Sequence, residues 1–134
     1  MSLEALRVYA RLAEPDRPPG LLDVARVSLA AWQQRDTQKP HMFGHGKTFK
    51  TIKWPPTWYR VYAVLDTLGR YPSLWRGEGA RPGDRRSLAE LIAALIAYNM
   101  TDAGRVVPRS TSRGCEAFSF GQRDRHLAQA MPMA

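Results

Sequence analysis

The stretch RRSLAELIAALIAY, residues 85–98, decides the fold class. Its apolar residues recur at steps of three and four, which is the spacing of one helical face: Leu88, Leu91, Ile92, Leu95 and Ile96. Asp84 stands where an N-cap is expected, and Asn99 can supply the left-handed turn that ends a helix. The pattern therefore predicts a helix over 86–98 with a buried apolar stripe.

Three more stretches before this one predict helices, over 3–12, 21–33 and 56–68. The second is the most regular, and the third opens on Pro55-Pro56 and ends before Gly69. No comparable strand pattern occurs, apart from the short run at 105–108. We therefore predict one all-α unit over 1–134 that consists of consecutive antiparallel helical hairpins with long ordered loops. The pairs are 3–12 with 21–33 and 56–68 with 86–98.

The net charge of +8 is concentrated in two segments that lack periodicity. Residues 35–54 carry five basic side chains against one acidic, and residues 105–134 carry five against two. A pI near 10.3 favours attraction to phosphates or acidic surfaces. The alternative is a solvated basic surface with no specific partner.

Basic and aromatic residues alternate in the first of these segments. Lysines spaced by three residues, with aromatics between them, can bind phosphates while a ring stacks on a base or an isoprenoid. The alternative is that the lysine stems cover apolar surface and their ammonium groups stay in water. The candidate ligand-binding residues are Lys47, Lys50, Lys53, Trp54, Trp58, Arg109 and Arg113.

The sequence gives little support for a cofactor, a metal or a catalytic group, and we predict none of them. Gly46-Lys47-Thr48 resembles the end of a phosphate-binding P-loop, but His41 stands where that motif needs a glycine. His41 and His45 have a chelating spacing, yet the glycines around His45 disfavour a helix. Asp66 is better placed to pair with Arg70 than to act as an acid. Cys115 has no matched histidine.

A cytoplasmic location is the expectation from composition. The single cysteine cannot form an internal disulfide, and the first residues lack the apolar region of a secretory signal. The mean hydropathy is −0.41, and no apolar run reaches the ~20 residues of a membrane span.

Two blocks of sequence, residues 39–59 and 64–72, resemble the C-terminal portion of bacterial and archaeal proteins with prenyltransferase/squalene-oxidase-type repeats. Residues 102–105 and 118–122 resemble the closing segment of the same proteins. Such proteins are similar in fold to terpenoid cyclases and protein prenyltransferase β subunits. The resemblance spans roughly 21–122 and implies that the hairpins form an arc of an α/α toroid.

The departures from that family limit what the resemblance implies about function. Residues 123–134 are atypical and are expected to form a frayed tail. The cyclases' aspartate-rich motif and the prenyltransferases' zinc ligands are not recognisable, so no catalytic residue is carried over. We expect a ligand- or partner-binding scaffold. The alternatives are a fragment of an enzyme acting on an isoprenoid or its diphosphate, and a basic nucleic-acid-binding module. The partners left open are an apolar or diphosphate-bearing small molecule, further toroid repeats, a second copy of the chain, and nucleic acid.

Overall fold

A computed structural model describes residues 2–37, 46–54 and 60–111. Five α-helices and two short strands occur in this part of the chain. They are α1 Ser2–Tyr9, α2 Leu21–Gln33, α3 Lys47–Lys50, β1 Lys53–Trp54, α4 Val61–Leu68, α5 Pro82–Asn99 and β2 Ser110–Thr111. Single 3-10 turns lie at Glu14–Asp16 and Pro72–Leu74. The prediction of a mainly helical chain is confirmed.

One helix has the predicted bounds, and the ends of two others differ from the predicted ones. Helix α2 has the predicted bounds, and the left-handed Gly20 (φ 88°) turns the chain into it. Helix α1 ends at Tyr9 instead of residue 12. Helix α5 begins at Pro82, whose fixed φ suits a first turn, so Asp84 is not the N-cap. It ends at Asn99, and the next residue, Met100, has an extended backbone (ψ 137°). The left-handed turn that the sequence predicts is therefore not formed there.

Residues 46–54 contain more regular structure than their sequence predicts. Helix α3 is a single turn within this segment, and β1 follows it. Strand β1 pairs in parallel with β2, Lys53 opposite Ser110 and Trp54 opposite Thr111. The all-α prediction is therefore incomplete. Two-residue strands are too short to produce the alternation by which a strand is recognised in a sequence.

The core is built from residues of all five helices and of the turn after α4. Helix α1 packs on α2 and α4, α5 packs on the same two helices, and α3 lies against α4 and α5. The buried cluster comprises Leu3, Leu6, Ala25, Leu29, Trp32, Phe49, Val61, Val64, Leu68, Tyr71, Leu74, Leu88 and Leu91.

Polar contacts fix the helices around this core. The Tyr71 hydroxyl donates to the Leu6 carbonyl at 2.5 Å, and burial raises the pKa of this phenol. Between α2 and α5, Arg26 Nε donates to Asp84 Oδ2 at 2.9 Å, with both side chains largely buried. Trp32 Nε1 donates to Glu90 Oε1 at 2.9 Å. These bonds satisfy polar groups that burial would otherwise leave unpaired.

The apolar stripe of α5, which the sequence predicts to be buried, is only half buried. Leu88 and Leu91 are in the core and Leu95 packs against it. Ile92 and Ile96 are 47% and 43% exposed. Helix α5 contacts the other described helices along the side that carries Leu88, Leu91 and Leu95. The two isoleucines lie next to these leucines on the helix surface but face outward.

Phe49 is the aromatic residue of segment 46–54 whose truncation should destabilise the fold most. Phe49 is 1% exposed, whereas Trp54 is half-buried. Phe49→Ala should lower the free energy of unfolding by ~3–5 kcal/mol, as for other buried aromatics. Lys50→Ala, one residue away, should lower it by less than ~1 kcal/mol because its side chain lies at the surface over the Tyr98 ring. Urea melts of the two variants give both values, and equal midpoints would contradict the burial of Phe49.

Candidate functional site

Helix α3 presents its lysines to solvent because its apolar residues hold it against the core. The Phe49 ring lies 5.8 Å from the Trp32 ring, centroid to centroid, and Ile52 is 1% exposed. Lys47 is exposed and Lys50 is half-buried. Phe49 and Ile52 are packed inward while the basic groups stay at the surface, so Phe49 is not placed to stack on a ligand.

The carboxamide of Asn99 ties this segment to the end of α5. Its Oδ1 accepts from the Ile52 amide at 2.8 Å. Its Nδ2 donates to the carbonyls of Lys50 and Leu95, at 2.8 and 2.9 Å. Asn99 is fully buried, so each of these bonds pairs a group that has little access to water. One side chain therefore sets the position of residues 50–52 against α5.

The backbone carbonyl of Ile52 binds the second basic segment, residues 105–111. It accepts from the Arg109 amide at 2.9 Å and the Ser110 amide at 3.4 Å, and the β1–β2 pairing continues from there. Residues 46–54 and 105–111 are thereby joined side by side. Together these two ranges hold five Lys or Arg and no Asp or Glu.

A cleft of about 490 Å³ lies where these segments meet the end of α5. It is lined by Lys47, Thr51, Tyr98, Arg109 and Ser110. We call this set the basic cleft. Lys50 lies at its edge, with Nζ 5.3 Å from the centroid of the Tyr98 ring. Within residues 2–37, 46–54 and 60–111, neither Lys47 nor Arg109 forms an ion pair with a carboxylate.

Arg109 has a structural role as well as a place in the cleft. Its Nε donates to the Tyr98 carbonyl at 3.0 Å and its Nη2 to the Met100 carbonyl at 3.2 Å. A cation at the C-terminal end of a helix is also favoured by the helix dipole. These bonds fix the guanidinium in place and, as far as residues 2–37, 46–54 and 60–111 go, leave Nη1 and one Nη2 hydrogen for another acceptor.

A second basic side chain, that of Arg60, binds the backbone of the α3–β1 segment. Arg60 Nη1 donates to the Thr51 carbonyl at 3.3 Å. Burial lowers the pKa of this guanidinium from its usual value. Thr51 itself caps α3, because its hydroxyl donates to the Lys47 carbonyl at 2.8 Å.

The structure brings together part of the predicted site. Lys47 and Arg109 line the basic cleft, and Lys50 lies at its edge. Lys53 and Trp54 form β1 beside it. The other predicted ligand-binding residues, Trp58 and Arg113, lie outside the described ranges, as do His41, His45 and Cys115.

The sequence does not single out Tyr98, Thr51 or Ser110 as site residues. It places Tyr98 only at the end of a helix, and the other two are small polar residues without a motif. Their participation depends on the Ile52 and Asn99 contacts, which join residues about fifty positions apart in sequence. The concentration of positive charge and the lysine spacing indicate this region of the chain but not these three residues.

A second cavity, of about 390 Å³ before α2, lacks a comparable excess of free positive charge. Its lining includes two carboxylates, Glu14 and Asp23, beside its two arginines, Arg17 and Arg26. Arg26 is paired with Asp84 and Asp23, and the Arg17 guanidinium donates to three backbone carbonyls while stacking on Tyr71. The basic cleft is therefore the better candidate for an anionic ligand.

The described ranges offer little for metal or acid–base chemistry. No three His, Cys, Asp or Glu side chains come together there as metal ligands would. Asp66 pairs with Arg70 at 3.4 Å, as its spacing predicts, and also with Arg7 at 3.5 Å. Among the described helices, none is both long enough and apolar enough to cross a membrane.

Replacing Asn99 should disconnect the two basic segments from α5. Asn99→Ala leaves the Ile52 amide and the Lys50 carbonyl without this partner, at ~1–3 kcal/mol for each group that stays buried. We expect the free energy of unfolding to fall by at least ~2 kcal/mol in urea melts. Asn99→Asp should also destabilise the fold, because a carboxylate can accept from Ile52 but cannot donate to Lys50 and Leu95.

Gln34→Ala is the matched control, since it removes an exposed amide side chain after α2. It should change stability by less than ~0.5 kcal/mol. If Asn99→Ala and Gln34→Ala give the same unfolding midpoint, Asn99 does not hold the segments together.

Comparison of the chain with known protein families, with curated proteins and with solved structures finds no match.

Proposed function

We propose that this chain is a non-catalytic binding protein whose basic cleft takes a phosphate-bearing ligand. The observation that carries the proposal is the junction at Ile52, where residues 46–54 and 105–111 meet with five cations and no carboxylate. Like charges brought together without counter-charges repel one another. A bound polyanion relieves that repulsion.

The groups that line the cleft suit phosphate oxygens. Lys47 supplies a mobile ammonium at the surface, and Arg109 supplies a guanidinium that is already oriented by the end of α5. The Ser110 hydroxyl adds a short-range donor. The Tyr98 ring, 38% exposed, offers an apolar surface to the rest of the ligand.

Binding without catalysis is the function that these side chains support best. The described residues that line the basic cleft include no carboxylate, imidazole or thiol. Lysine and arginine side chains hold charge well but are poor general bases at neutral pH. The enzyme alternative would need acid–base groups from residues other than those that line the cleft.

The toroid arrangement belongs to the same proposal. Helices α1 and α2 pack together, as do α4 and α5, and each pair contacts the other through α1–α4 and α2–α5. Stacked hairpins of a repeat arc make contacts of this kind. Under this proposal the chain is an arc of helical hairpins, and the basic cleft lies where the loop after the first hairpin crosses the end of the second.

A phosphate ligand could be a small diphosphate, including an isoprenoid diphosphate, or a nucleic acid. Titrations with pyrophosphate, farnesyl diphosphate and a short single-stranded oligonucleotide separate these sources. Nucleic-acid binding should weaken steeply as salt rises from about 50 to 200 mM, because several counterions are released. A small diphosphate, contacting fewer cations, should show a shallower dependence.

Lys47→Ala should weaken binding of whichever probe binds by about tenfold, the value of one lost charge-assisted contact of roughly 1.5 kcal/mol. Arg11→Ala is the matched control, because Arg11 is exposed on the turn after α1 and its loss changes the net charge equally. Arg11→Ala should leave the Kd within about twofold. Fluorescence or calorimetric titration at low salt measures both variants.

Two results would contradict the proposal. One is that none of the three probes binds at low salt. The other is that Arg11→Ala weakens binding as much as Lys47→Ala, which would mean that only the overall charge attracts the probe.

A further inference from the structure

Helix α5 carries an apolar surface that faces away from the core. Ile92 and Ile96 are 47% and 43% exposed, and three alanines beside them are exposed as well. The set Ala89, Ile92, Ala93, Ile96 and Ala97 follows the three- and four-residue steps of one helical face. We call this set the α5 seam. Contiguous apolar surface on the outside of a protein is typical of a contact site.

The charges on α5 are arranged asymmetrically around the seam. Its two carboxylates are turned toward α2: Asp84 bonds to Arg26, and Glu90 bonds to the Trp32 indole. Its two cations, Arg85 and Arg86, are exposed and lie four and three residues before Ala89, in line with the seam. The surface that α5 offers is therefore apolar along its length and positive at its N-terminal end.

The width of the seam suits a helix. Alanines alternate with isoleucines along it, and small side chains allow two helix axes to approach to ~8–10 Å. A face that inserts into a lipid surface is typically wider and richer in Trp, Phe and Leu. A second copy of this chain is disfavoured by charge. A parallel pair of α5 helices would set Arg85 and Arg86 against themselves, and an antiparallel pair would set them against the end that holds Arg109.

We propose that the α5 seam docks an amphipathic helix of a partner protein whose acidic residues lie opposite Arg85 and Arg86. Ile92 and Ile96 would pack into its apolar face, and the two arginines would fix its direction along α5. The proposal rests on the exposure and charges of α5 and does not depend on the basic cleft.

Two synthetic helical peptides, each as long as α5, provide the test. Both carry a leucine at every third or fourth position. One has glutamates at the end that would meet Arg85 and Arg86, and the other has lysines at the same positions. Fluorescence anisotropy should show the glutamate peptide binding the full chain at least about tenfold more tightly than the lysine peptide, since opposite charges attract and like charges repel across an interface.

Variants at the surface assign the binding to the seam. Ile92→Ser and Ile96→Ser should each weaken the glutamate peptide severalfold, whereas Val27→Ser, which removes a 63% exposed side chain from α2, should not. Arg86→Glu should reduce or reverse the preference between the two peptides, and Arg11→Glu should leave it unchanged. All of these side chains are exposed, so circular dichroism should show an unchanged helix content.

Four outcomes would overturn the proposal. They are failure of the glutamate peptide to bind, equal binding of the two peptides, a dimer in sedimentation velocity that Ile92→Ser abolishes, and seam-dependent binding to phosphatidylserine vesicles that exceeds binding to the peptide. The third would assign the seam to a second copy of the chain, and the fourth to a membrane surface.

Discussion

The carboxamide of Asn99 is the contact on which the arrangement of the basic cleft depends. It pairs with the backbone on both sides of the α3–β1 connection and with the last turn of α5. Because it is fully buried, an alternative position for the segment would leave its donors and acceptors unpaired. Ile52, once fixed in this way, presents its carbonyl to the chain at Arg109 and Ser110.

Buried polar contacts and surface charge therefore act together in this region. The Asn99 and Ile52 bonds are short-range and directional, and they bring two positively charged segments into contact. The repulsion between those segments is screened where they face water, so the buried bonds can outweigh it. Arg109 reduces the electrostatic repulsion between the segments further, because its guanidinium binds the carbonyls at the negative end of α5. Stability arises from the buried bonds of this junction, and the ligand attraction that we propose arises from its surface cations.

The sequence predicts the elements that rest on periodicity and misses those that rest on single contacts. The bounds of α2, Leu21–Gln33, follow from its regular apolar spacing. The concentration of charge indicates the region of the cleft. The β1–β2 pairing and the Asn99 bonds join distant parts of the chain through one or two residues, which leave no repeating pattern. The sequence predicts only that the Asn99 backbone turns the chain at the end of α5. Its side chain instead accepts a hydrogen bond from the Ile52 amide, 47 residues earlier in the sequence. The exposure of Ile92 and Ile96 depends on where the neighbouring helices lie, which the apolar spacing of α5 does not specify.

Hydrogen exchange at the Ile52 amide, followed by NMR, tests this account most directly. The amide donates to a fully buried carboxamide, so it should exchange as slowly as amides within α2, and the Arg109 amide should be protected with it. In Asn99→Ala, exchange at both amides should accelerate more than exchange at Leu29, within α2. If the Ile52 amide of the unaltered chain exchanges as fast as an amide fully open to solvent, the two basic segments are not held by this junction and the account is wrong.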